Sequence, residues 1–165
     1  MAKVKEKDTK TNVMRMLEAE KIPYACHFYS HEDGEIDGLA VARKLGQDPG
    51  RVFKTLVTRG ADGNFYVFVV PVEKELDLKA AARAAGVKNV ELIHVNELLK
   101  TTGYIRGGCS PIGMKKAFPT VLDESCILYD SIMVSAGKIG AQVELSPDDL
   151  LRITGGSMAE IAADA

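Results

Sequence analysis

The chain has 165 residues, 46% of them apolar and 27% charged, which is the make-up of one folded globular domain and excludes an intrinsically disordered chain. A formal charge of −2 excludes a broad basic face that would coat DNA or any other nucleic acid, and leaves room for a partner touched at one end only. With no apolar leader and no run of about 18 apolar residues, neither secretion nor membrane spanning is expected.

In chain order, residues 1–10 form a basic tail carrying Lys3, Lys5, Lys7 and Lys10, and a single domain is expected over residues 11–165. Val13, Met14, Met16 and Leu17 share one helical face over residues 11–19, with Thr9 or Thr11 as cap, and Lys21-Ile22-Pro23 stops that helix. Residues 24–29 read as a strand and 30–38 as a polar loop. Leu39, Val41, Ala42 and Leu45 predict a short amphipathic helix ended by Gly46, with a turn at Asp48-Pro49-Gly50. The β runs 52–58 and 65–70 flank Gly60 and Gly63 and predict a hairpin. A helix over 76–85 closed by Gly86, a brief strand over 90–93 and a helix over 95–100 closed by Gly103 follow. The second half predicts strands over 120–122, 127–129, 132–135 and 141–145, then a helix opened by Ser146-Pro147-Asp148-Asp149. No regular β-α-β beat is present. The expected fold is therefore mixed α/β (α+β), a single domain with a curved, mostly mixed sheet or partial barrel flanked by helices.

The segment richest in chemical meaning is Gly107-Gly108-Cys109-Ser110-Pro111-Ile112-Gly113. Three glycines and a proline rule out helix interior and central strand, so this is a shaped loop. Its plain reading is a turn between elements. Its sharper reading is a cradle whose bare amides bind a phosphate or an oxygen gaining negative charge. Ser135-Ala136-Gly137-Lys138-Ile139-Gly140 offers the same two readings.

Lys54 lies in Val52-Phe53-Lys54-Thr55-Leu56-Val57, where alternation puts Phe53 and Val57 on one side and Lys54 with Leu56 on the other. It is either an edge lysine reaching water or a fixed cation beside the glycine loop. Tyr29 closes the first strand, with His27 and His31 around it. A Cys-His nucleophile pair with Cys109 has no spacing that singles out a base, and His94 reads as a surface residue. Cys26, Cys109 and Cys126 form no CxxC pair, and the adjacent Cys26 and His27 face opposite sides of a strand. No metal, cofactor or disulfide framework is expected, and the compartment expected is the cytoplasm.

In this order these segments resemble the YbaK/EbsC family of freestanding aminoacyl-tRNA deacylases, relatives of the editing domain inserted in bacterial prolyl-tRNA synthetases. The resemblance runs from about Met14 to Ile161. It rests on Lys21-Ile22, His27 to His31 around Tyr29, Val52-Phe53-Lys54-Thr55-Leu56, Leu76-Asp77-Leu78-Lys79, Thr102-Gly103-Tyr104, the stretch from Gly107 through Lys116, and Ser135 to Gly140. It implies a catalytic group of Lys54, Gly108, Cys109 and Ser110, and a substrate-binding group of Tyr29, Phe53, Gly107, Pro111, Gly113, Ser135 and Gly137. The implied substrate is cysteine wrongly esterified to the 3′ end of tRNA(Pro), with other cysteinyl-tRNAs less strongly discriminated. Whole-tRNA affinity would need more cations than Lys54, Arg106, Lys115, Lys116 and Lys138, so a transient complex with prolyl-tRNA synthetase is expected to deliver the substrate. The family often has an apolar residue where Cys109 stands, so Cys109 is read as lining the pocket. It commonly has glycine and arginine where Ala136 and Ile139 stand.

That chemistry suits a chain without a triad. Pocket shape separates small side chains by only about 1–3 kcal/mol, whereas a cysteinyl ester alone carries its own thiol nucleophile. The protein then needs to supply orientation and oxyanion donors, each worth roughly 2.7–4 kcal/mol, and the amides of 108–110 are the candidates. Lys54 would hold the phosphate or sugar of the terminal adenosine. The rival readings are an Ala-tRNA(Pro) deacylase of the same superfamily and a non-catalytic module that binds a nucleotide or RNA end.

Overall fold

The computed structural model describes residues 10–165. Of the basic tail, only Lys10 falls inside that range, and it pairs with Glu18 at 3.0 Å; the rest of the tail lies outside the described residues.

Helix α1 (Asn12–Ala19) starts where the Thr11 hydroxyl accepts from the Met14 amide, and it buries Val13, Met14 and Leu17. Strand β1 (Ala25–Phe28) leads through a polar loop to α2 (Gly38–Leu45), capped by Asp37 and closed by the left-handed Gly46. Strands β2 (Phe53–Gly60) and β3 (Phe65–Pro71) form the expected hairpin, in register from Phe53↔Pro71 to Arg59↔Phe65. Then come β4 (Lys74–Leu76), α3 (Leu78–Ala85), β5 (Val90–Leu92), α4 (Val95–Thr102) and β6 (Thr120–Asp123). A 3₁₀ helix (Glu124–Leu128), β7 (Ile132–Ser135), β8 (Ala141–Leu145), α5 (Pro147–Thr154), β9 (Ser157–Ala159) and β10 (Ala162–Asp164) complete the chain.

The five-stranded sheet runs β5-β2-β3-β6-β9 and is mixed, with β6 parallel to both of its neighbours. The three-stranded sheet β1-β8-β7 is antiparallel, and β4 pairs with β10. A parallel bridge from Val52 to Met133 joins the two larger sheets at the start of β2, giving a bent wall rather than a closed barrel. Alternation along β2 and β3 sends Phe53, Val57, Val67 and Val69 into one core with α1, Val134 and Val143. It sends Phe68 and Val70 into a second core under Ala81 and Ala82 of α3. Each fully buried aliphatic side chain is worth about 1.5–3 kcal/mol, so these two layers hold the sheet on both faces.

Two expected elements differ. Residues 127–129 are not a strand: Asp123 caps a 3₁₀ turn through the Ser125 amide, which buries Cys126 and turns the next two residues outward. Helix α3 begins at Leu78, because Asp77 caps it through the Ala80 amide and Leu76 is already paired with Ala162. The short strands β4, β9 and β10 were not expected from the sequence at all.

Candidate active site

A cavity of about 570 Å³ opens where α2, β2, β7, β8 and the loops after β1 and α4 converge. Its lining includes Tyr29, Phe53, Lys54, Gly107, Cys109 and Ser135, six of the residues expected from the sequence, along with Asp37, Thr55, Arg106 and Gln142. Loop 107–109 and Lys54 thus face one space, although they lie more than fifty residues apart.

The glycine loops explain each other. Gly107 has φ +87°, and a β-carbon there would come within 2.7 Å of the Ile36 side chain. At Gly108 a β-carbon would stand 3.0 Å from the backbone of Lys138 and Ile139, so the two glycine-bearing loops pack backbone against backbone. Gly137 has φ +95° and faces Tyr104 and Val13; Gly113 has φ +77° and faces Met16 and Tyr104. Ser110 is fully buried, its hydroxyl accepts from the Ile112 amide at 3.2 Å, and Pro111 is buried beside it. Gly108, Ser110, Pro111, Gly113 and Gly137 therefore shape the loops from behind and do not line the cavity.

The Gly108 amide donates to the Ile105 carbonyl at 3.0 Å, within the turn. Among the described residues the amides of Cys109 and Ser110 have no protein acceptor, and of these two residues Cys109 lines the cavity. The Tyr29 amide donates to the Gly140 carbonyl, tying the end of β1 to the second loop. The Ser135 hydroxyl accepts from the Gly137 amide at 3.2 Å.

Lys54 is half-buried and forms no salt bridge among the described residues. Burial pushes its pKa below the ordinary lysine value, and the Glu75 carboxylate offsets part of that. Burial pushes the Cys109 thiol up to about 12, against a smaller lowering by the Thr102 hydroxyl, so at neutral pH it is a protonated, weakly nucleophilic thiol. His27 is held elsewhere: its Nε2 lies 2.7 Å from Glu144, which also accepts from Ser131 and Arg51. His31 is exposed beside Gly140, and His94 is exposed at the start of α4. No histidine lines the cavity with Cys109. Among the described residues no cluster of His, Cys, Asp and Glu is arranged to hold a metal ion, and no helix is long and apolar enough to cross a membrane.

Sequence reasoning did not single out Arg106, Thr55, Gln142 or Asp37. Thr55 did carry a signal, since a polar residue sits between Phe53 and Val57 on the core side of β2; its buried hydroxyl has no hydrogen-bond partner. Gln142 carried none. It is buried on β8, the middle strand of the three-stranded sheet, where Gln47, far away in sequence, donates to its Oε1 at 2.5 Å. The cavity as a whole offers cations, hydroxyls and apolar walls. Such a site can orient an ester and hold an anion, but it presents no activated protein nucleophile.

The aminoacyl-tRNA editing domain family matches this chain over residues 38–153. EbsC of Enterococcus faecalis, provisionally named a Cys-tRNA(Pro)/Cys-tRNA(Cys) deacylase, is 51% identical over 161 residues, covering 98% of each chain. YwhH of Bacillus subtilis is 27% identical over 109 residues, which is 66% of this chain and 69% of its own. A crystal structure provisionally described as a trans-editing enzyme for prolyl-tRNA synthetase is 24% identical, with TM-score 0.79 over 98% of this chain and 99% of that one, and so shows a common fold.

Proposed function

Because this chain belongs to the aminoacyl-tRNA editing domain family, we propose that it is a trans-editing deacylase that removes cysteine from mischarged tRNA(Pro). The observation that carries the reading is the shared cavity: a partly desolvated lysine and the bare backbone of a glycine loop face one space next to hydroxyls, with no activated nucleophile.

The substrate's own sulfur completes the chemistry. Its thiol attacks the carbonyl carbon of the ester, a C–S bond forms, the C–O bond to the ribose breaks, and the thiol proton ends on the ribose oxygen. Water then opens the released thioester. Lys54 and Arg106 hold the phosphate and sugar of the terminal adenosine, the Cys109 amide donates to the developing oxyanion, and the apolar wall of Phe53 and Val134 orients the aminoacyl group. Selectivity follows from reactivity, since serine and alanine esters lack the attacking thiol.

The aminoacyl-tRNA 3′ end is the direct partner. Few cations surround the cavity, so the affinity for a whole tRNA is weak and a transient complex with prolyl-tRNA synthetase delivers the substrate. The compartment is the cytoplasm, where charged tRNA is used.

The deciding experiment charges tRNA(Pro) with cysteine, alanine, serine or proline and measures deacylation by the purified protein. Rapid loss of cysteine alone is expected. Comparable cleavage of the alanyl or seryl ester, or of an S-methylcysteinyl ester, would overturn the thiol mechanism.

A further inference from the structure

Away from the cavity, two consecutive aliphatic side chains stand out in solvent: Ile127 is 68% exposed and Leu128 is 75% exposed. Their placement is built into the fold. Buried Asp123 accepts from the Ser125 amide and hydroxyl, and from the Ile161 and Ala162 amides at 3.0 and 3.1 Å, which anchors the 3₁₀ helix to the start of β10. Cys126 plugs the core beneath. The pair therefore sits on a fixed turn.

A groove of about 510 Å³ runs beside them, with Pro71 and Tyr129 among its walls. Its charged lining is acidic. Glu73, Glu124 and Glu160 are exposed and in no ion pair among the described residues, whereas Lys74 is neutralised by Asp164. The groove also adjoins the catalytic cavity through the chain: Pro71 and Glu73 line the groove and Val72 between them lines the cavity, just as Gly50 lines the groove and Val52 the cavity.

We propose that this face is a protein-docking surface, and that it takes a basic, apolar segment of prolyl-tRNA synthetase; the choice of partner rests on the function proposed above. A tRNA is the wrong occupant, because three uncompensated carboxylates repel phosphates while the cations lie at the other site. Exposed apolar side chains bordered by charged residues match the apolar centre and polar rim of a protein interface, and complementary charge favours fast encounter. Two anchors suit a transient complex better than an obligate dimer. A synthetase seated here borders the cavity wall at residues 50–52 and 71–73 and leaves Lys54 and Arg106 to the tRNA end.

The test titrates the full chain with purified prolyl-tRNA synthetase from the same organism, following anisotropy of a labelled protein. Three variants are compared with the wild type: Ile127→Glu with Leu128→Glu, Glu124→Lys with Glu160→Lys, and Lys54→Ala. Saturable wild-type binding that weakens with salt is expected. The aliphatic double variant should bind at least tenfold more weakly, the charge-reversed one several-fold more weakly, and both should deacylate free Cys-tRNA(Pro) within twofold of wild type. Lys54→Ala should bind the synthetase normally and fail to deacylate. Unchanged affinity in both surface variants, or no wild-type binding, overturns the proposal. So does a wild-type dimer that the aliphatic variant abolishes, or a loss confined to tRNA affinity. Failure of the wild type to deacylate Cys-tRNA(Pro) would remove the functional reading by itself, and the synthetase titration is scored separately from it.

Discussion

Gly108 and Lys138 meet backbone to backbone: a β-carbon on Gly108 would stand 3.0 Å from the Lys138 α-carbon. Two loops from distant parts of the chain can approach this closely only because one side has no side chain. Neither contact atom belongs to a flexible side chain that could swing away. Gly108→Ala should push the loops apart, lower stability by about 1–3 kcal/mol and cut kcat for Cys-tRNA(Pro) by more than tenfold, since the displaced residue is next to Cys109. Thermal melting and single-turnover deacylation check both effects; wild-type values in both would show that the loops tolerate separation.

Lys54 is held against its own solvation, because burial lowers its pKa below the ordinary 10.5. For a base lowered in this way, the unfolded chain keeps its proton to higher pH than the folded one. The charged lysine thus costs stability at neutral pH, and stability recovers as pH rises through the folded value toward 10.5. Lys54→Met should raise stability by up to about 1 kcal/mol at pH 7, flatten that rise, and reduce deacylation by roughly 10²–10³. Chemical denaturation at several pH values, paired with activity, checks it. A destabilised variant, or one that keeps its activity, contradicts the assignment.

Local physics made much of this fold legible. Thr11, Asp37, Asp77 and Ser146 each cap a helix by accepting from an amide three residues on, an interaction that needs no distant partner. The β2–β3 hairpin was equally local. Strands β4 and β10 were hidden because each has three residues and pairs only with the other, about ninety residues away. Residues 127–129 misled for the opposite reason: their apolar run reads as strand, and only the capping by Asp123 shows that it coils. At the site, residue types pointed to Lys54 and the 107–109 backbone. The direction each glycine faces depends on Tyr104, Met16 and Lys138, and spacing does not carry that.

Cys109 and Tyr104 make alkaline pH a probe of the loop. Burial raises the Cys109 thiol from 9.0 to about 12. Burial also raises the Tyr104 hydroxyl, which donates to the Ile112 carbonyl, from 10.0 to about 12. For an acid raised in the folded state, stability is complete below the unfolded value and is lost as pH climbs toward the folded one. The melting temperature should fall between about pH 9 and pH 12, less steeply in Cys109→Ala and in Tyr104→Phe. At pH 7.5 the Cys109→Ala variant should deacylate within about threefold of wild type, because a protonated thiol is a poor nucleophile. A hundredfold loss would make Cys109 a catalytic group.

Thr55 carries a buried hydroxyl with no hydrogen-bond partner among the described residues, beside the cavity. An unpaired buried hydroxyl costs about 1–3 kcal/mol, and a bound polar group that satisfied it would recover that amount. Thr55→Val keeps the shape and removes the polar atom. It should leave stability equal or higher and raise KM for Cys-tRNA(Pro) several-fold with less effect on kcat. A stability loss with unchanged KM would mean that the hydroxyl is satisfied within the fold.

Asp123 links the 3₁₀ helix to the C-terminal strand, since one buried carboxylate accepts four hydrogen bonds from Ser125, Ile161 and Ala162. None of its partners lines the cavity beside Lys54, and Ser125 and Ala162 line the acidic groove. Asp123→Ala leaves three amides and a hydroxyl without their acceptor, so it should cost about 2–4 kcal/mol. In a chain that stays folded at 20 °C, the loss should fall first on synthetase binding, because Ile127 and Leu128 lose their fixed turn. Free Cys-tRNA(Pro) should still be deacylated at close to the wild-type rate. Asp123→Asn, which can accept from only part of that set, should lie between the two. Hydrogen exchange at the Ile161 and Ala162 amides gives the direct readout: protection should drop in the order wild type, Asn, Ala. If exchange there is unaltered while deacylation collapses, the carboxylate serves the Lys54 cavity and not the groove.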